Sequence, residues 1–88
     1  MQVKDGYILR EVAGNYIVVA VGDEALDFNG LITTNETGAF LWKKLSEDIS
    51  EQELINTLIN EYEVDEKTAA EDISAFLDKL RNAELLDK

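Results

Sequence analysis

The sequence predicts an α+β domain: a three-stranded antiparallel sheet followed by three helices packed on one of its faces. Three observations carry this. The hydrophobic pattern changes near Asn35, from short runs rich in β-branched and aromatic residues to apolar residues recurring at helical spacing. Turn signals punctuate the first part, at Ala13-Gly14-Asn15, Gly22-Asp23-Glu24 and Asn29-Gly30. Helix-capping residues stand at Asn35, Ser50 and Asp65. A chain of 88 residues holds one modest core, so residues 1–88 are expected to form a single domain.

Tyr7 to Val12 and Tyr16 to Val21 read as two strands of a hairpin, with Gly14 and Asn15 as the residues suited to positive φ between them. The second of these is apolar on both faces, which predicts a central strand with partial cover on its outer side. Leu31-Ile32-Thr33-Thr34 is the third strand, with Ala25 to Phe28 as an irregular extension ahead of it. Asn35 then caps a helix through Ala39, Phe40, Leu41, Trp42 and Leu45. Ser50-Glu51-Gln52-Glu53 spells a capping box, with Ile49 and Leu54 placed as a hydrophobic staple. Asp65 caps the last helix, whose apolar stripe is Ala69, Ile73, Phe76, Leu77 and Leu80. The tail from Glu84 is expected to fold back onto the core through Leu85 and Leu86.

Composition narrows the chemistry. There is no cysteine and no histidine, which removes disulfides, thiol nucleophiles and imidazole relays, and the chain is expected not to be an enzyme. No metal and no cofactor are expected: Asp23, Glu24, Asp27 and Asn29 share a loop but lack the ligand spacing of a calcium site. The net charge of −11 disfavours both nucleic acid and anionic lipid. No segment approaches the ~18–20 apolar residues of a membrane span, and no signal segment opens the chain, so a cytoplasmic location is expected. A winged helix reading DNA is disfavoured by its last helix, where Glu66, Glu71, Asp72 and Asp78 outnumber Lys67, Lys79 and Arg81. An acyl carrier is disfavoured by the strand-rich first third and by the isoleucine that separates aspartate from serine in Asp48-Ile49-Ser50 and Asp72-Ile73-Ser74.

What remains is a module that binds peptide or protein. The third strand is short and uncharged from Gly30 to Asn35, with no lysine, proline or inward charge to guard it. An extended peptide can pair with such an edge by β-augmentation. Acidic charge also predicts salt-sensitive association with basic partner surfaces.

The run Leu31-Ile32-Thr33-Thr34-Asn35-Glu36-Thr37-Gly38-Ala39-Phe40-Leu41-Trp42 resembles the PqqD family. So do Ser50-Glu51-Gln52-Glu53-Leu54-Ile55 leading to Tyr62-Glu63-Val64-Asp65, and Glu71-Asp72-Ile73-Ser74-Ala75-Phe76-Leu77 followed by Leu80 and Glu84-Leu85-Leu86. The resemblance implies a winged-helix-like fold. It implies a non-catalytic peptide chaperone that binds the leader of a ribosomally made precursor peptide and presents it to a modifying enzyme, often a radical SAM enzyme. The leader would add to the third strand and lie against the third helix. Carried onto this sequence, the binding residues are Leu31, Ile32, Thr33 and Thr34 on the strand, and Asp72, Phe76 and Lys79 at i, i+4 and i+7 on the helix. The competing class is a winged-helix-like interaction or regulatory module that binds no leader.

Overall fold

A computed structural model describes residues 1–21 and 32–87. The element order is β1 (Tyr7–Val12), β2 (Asn15–Ala20), β3 (Ile32–Thr34), α1 (Glu36–Lys44), α2 (Glu51–Tyr62) and α3 (Glu66–Asn82). The strands form one antiparallel sheet in the order β1-β2-β3, so β2 is central as its apolar character predicts. The segments 22–30 and Leu31, including the acidic loop and the possible extension from Ala25 to Phe28, lie outside the described residues.

The hairpin differs from expectation by one residue. Val12 pairs with Asn15, which leaves a two-residue loop of Ala13 and Gly14 at φ 51° and 82°. Two consecutive positive φ values give the turn whose twist matches the strands it joins. The alanine therefore accepts a conformation that glycine or asparagine holds at lower cost, and Asn15 opens β2 instead of completing the loop.

Alternation along the strands separates two faces. Leu9, Val18 and Ile32 stand in register on the inner face, with Val18 fully buried and Ile32 nearly so. Ile17 and Val19 on the other face are half-buried. The helices supply the rest of the core: Leu41, Trp42, Leu45, Leu54, Leu58, Ile73, Leu77 and Leu80 pack with the strand residues.

Each helix starts where its cap predicts. The Asn35 side chain accepts from the Gly38 N–H at 2.9 Å. Ser50 and Glu53 complete a capping box, with Ile49 and Leu54 both packed into the core. Asp65 accepts from the Thr68 N–H at 2.7 Å, which holds its carboxyl below the ordinary value. Between α1 and α2, Phe40 meets Tyr62 edge to face at 5.5 Å; burial first, then the Glu36 and Glu61 carboxylates, push the Tyr62 phenol up.

The tail returns as expected. Leu85 is fully buried, and Leu86 forms a bridge with Val3. The Lys4 N–H donates to the Leu85 carbonyl and the Val3 N–H to that of Leu45, so the first residues are clamped between α1 and the tail. Among the described residues no helix is long and apolar enough to cross a membrane.

Candidate functional site

The hairpin loop decides which backbone groups reach the edge of β3. In a two-residue hairpin the closing pair, Val12 and Asn15, exchanges both backbone hydrogen bonds. Alternation then turns Asn15, Ile17 and Val19 towards β1, and the bond from the Val21 N–H to the Gly6 carbonyl (2.8 Å) continues that parity. Tyr16 and Val18 therefore turn towards β3, where they pair with Thr34 and Ile32. Thr33, opposite Ile17, is left with its N–H and C=O directed away from the sheet. It is the one residue of β3 whose backbone faces the outer edge, with which no strand pairs among the described residues.

An independent contact agrees. Lys79 Nζ, on α3, donates to the Thr33 carbonyl at 2.8 Å, which requires that carbonyl to point out of the sheet towards α3. The edge and the helix thus lie side by side. Between them a cleft of about 380 Å³ is lined by Thr34, Asn35, Gly38, Leu41, Phe76 and Lys79, with Thr37, Asp72 and Ala75 completing its wall. Its floor is apolar: Leu41 is 1% and Phe76 7% exposed, both within the core. Its rim is polar, with Lys79 at the Thr33 end and Asp72 two turns earlier on α3.

Gly38 makes this arrangement possible. It sits in the first turn of α1, where glycine weakens a helix by up to ~1 kcal/mol relative to alanine. A methyl group there would overlap the Thr34 hydroxyl, approach Thr34 Cβ to 2.9 Å and meet Phe76 Cε1 at 3.1 Å. The missing side chain is what lets α1 close on β3 and α3 together.

The residues singled out from sequence fall into three groups. Thr34, Asp72, Phe76 and Lys79 line the cleft, and Thr33 presents its backbone at the mouth. Ile32 is placed differently: its side chain is in the core and its backbone faces β2, so it anchors the edge without being exposed on it. Leu31 lies outside the described residues. Sequence reasoning did not single out Thr37, Leu41 or Ala75 as wall residues. Helical spacing could have found them: Ala75 shares the α3 face of Asp72 and Lys79 at i+3 and i−4, and Leu41 follows Gly38 and Thr37 at i+3 and i+4.

Residues 8–86 match the family of coenzyme PQQ synthesis protein D, PqqD. Among curated proteins none matches the chain. Among solved structures the chain is similar to TbiB1 in complex with the TbiA(β) leader peptide, with a TM-score of 0.76 and 24% identity, covering 99% of this chain and 95% of that one. That likeness is one of fold, three strands then three helices, and it agrees with the match in sequence. With that match spanning nearly all of its length, the chain belongs to the PqqD family.

Proposed function

We propose that this protein is a non-catalytic recognition element that binds the leader of a ribosomally made precursor peptide as an added strand on β3 and presents it to a modifying enzyme, often a radical SAM enzyme in this family. The observation that carries the reading is the outward backbone of Thr33 beside a cleft with an apolar floor. Family membership supports it, and so does the fold shared with TbiB1, which is complexed with a leader peptide. The absence of histidine and cysteine from the chain is consistent with leaving the chemistry to a partner.

Magnitudes divide the labour within the site. One outward residue offers two backbone hydrogen bonds, worth roughly 0.5–1.5 kcal/mol each. Micromolar binding needs about 8 kcal/mol. The added strand therefore takes its direction and register from Thr33, and most of its affinity from apolar side chains entering the cleft over Leu41 and Phe76, at roughly 25 cal/mol per Å² buried.

The test is an amide chemical-shift titration of the labelled protein with the leader of a short precursor gene neighbouring its own. The expected shifts fall on Thr33, Thr34 and the α3 face of Asp72, Ala75 and Lys79, and Thr33→Pro, which removes one of the two outward backbone bonds, weakens the titration up to about tenfold while the protein stays folded. Shifts confined to α2, or undiminished in Thr33→Pro, would instead favour an interaction module that binds no leader at this edge.

A further inference from the structure

We infer that Lys79 is a displaceable plug on the docking edge that selects a peptide carrying a carboxylate side chain opposite Thr33. The inference rests on the strand-addition reading above and adds to it the chemistry of the occupant.

The ammonium of Lys79 lies 2.8 Å from the Thr33 carbonyl oxygen. A backbone N–H of an added strand would stand about 2.9 Å from the same oxygen, on the same outward side. The lysine side chain reaches that oxygen from α3, and so crosses the path an added strand must take. Binding therefore moves Lys79 off Thr33. A displaced ammonium in the mouth of the cleft has lost one acceptor and keeps three donors. A peptide whose carboxylate lies beside Thr33 replaces the lost acceptor with a charged one, whereas a neutral peptide replaces it only with water. The lysine thus raises the cost of every occupant alike and offsets that cost only for an acidic one.

Asp72 makes the preference positional. It lines the same cleft seven residues before Lys79, and its wall shares Ala75 and Phe76 with the lysine. Seven helical residues span about 10 Å, which is roughly three residues of extended peptide. An acid favoured beside Lys79 is therefore disfavoured three positions along, where it meets Asp72. The net charge of −11 works in the same direction, since it opposes acidic residues everywhere except at this local cation. The ligand class that fits is a mostly neutral or basic extended peptide with one acidic side chain at one register position, next to an apolar residue that fills the cleft.

A random twelve-residue peptide library displayed on phage, selected in parallel on the wild type and on Lys79→Met, Lys79→Glu and Thr33→Pro, tests this. Wild-type selection is expected to enrich an acidic residue at fixed spacing from an apolar one and to deplete acids about three positions away. Lys79→Glu should replace that acid with a basic residue. In a synthetic copy of an enriched peptide, changing the acid to its amide should weaken wild-type binding about threefold to fivefold and leave binding to Lys79→Met unchanged. Peptides that need the Thr33 edge but show no acid preference, or lose equally from amidation in both proteins, overturn the role of Lys79 alone. Failure to enrich any peptide that Thr33→Pro loses overturns the strand-addition reading, and this inference with it.

Discussion

Among the described residues the sheet has two edges built from the same backbone, and one of them has the makings of a site. β1 is the longer, at six residues against three, and by the same alternation it turns the backbone of Tyr7, Leu9 and Glu11 outward. Its far half, Arg10 to Val12, is exposed and carries two charges, a pattern that guards an edge against pairing. β3 has a single outward residue and no charge, but α3 runs beside it and supplies a floor and a rim. An edge becomes a recognition site through what lies next to it, since backbone hydrogen bonds are alike at every edge and only a neighbouring wall can tell one peptide from another.

The largest expected effect removes that wall's foundation. Phe76 belongs to the core and to the cleft floor at once. Phe76→Asp loses an aromatic burial and places a carboxylate among apolar side chains, so about 4 kcal/mol of stability should disappear in a denaturant melt. Phe76→Leu should cost under ~1.5 kcal/mol and weaken peptide binding more than it weakens the fold, which separates the two roles.

Next come the neighbours Ile32 and Thr33. Ile32→Pro deletes an N–H that faces Val18 and should cost ~3 kcal/mol or more in the same melt. Thr33→Pro deletes one that faces outward and should leave the melt within ~1 kcal/mol of the parent while weakening peptide binding up to about tenfold. Glu11→Pro, the counterpart on β1, should leave the titration unchanged; a loss there would mean that the two edges are not distinct.

Gly38→Ala tests how α1 and β3 meet the wall. Despite alanine's better helix propensity, the overlap with Thr34 and Phe76 should make the change destabilising by about 1–2 kcal/mol, and the cleft should narrow, so binding falls too. A stabilised variant would show that Thr34 yields easily.

The smallest effect is at the start of α3. Asp65 has its carboxyl held low chiefly by the Thr68 backbone N–H, then by the Thr68 hydroxyl. Its folded value lies below its unfolded one, so its contribution is complete above the unfolded value and is lost as pH falls through the folded value. Acid melts should therefore lose this contribution only from about pH 4 downward. Asp65→Asn, which keeps a cap without the charge, should flatten that part of the profile.

The sequence by itself determined most local structure. Asn35, Ser50 with Glu53, and Asp65 start their helices as capping chemistry requires, because a cap bonds within three residues of itself. That Asp72, Phe76 and Lys79 share one face of α3 was legible because helical spacing is a short-range rule, whereas their choice as binding residues came from the resemblance to the PqqD family. The orientation of the proposed docking edge was not legible, because it depends on parity passed from a distant turn. Had Asn15 been in the loop, as its tolerance of positive φ suggested, every backbone group of β2 would have faced the other neighbour, and Ile32 and Thr34 rather than Thr33 would have met the edge. The Lys79 contact with Thr33 spans 46 residues, and the need for glycine at position 38 arises only where α1, β3 and α3 converge. Short-range bonding wrote the elements into the sequence; pairing register and the close approach of distant segments, which exist only once the chain has folded, decided which edge was open and what stands over it.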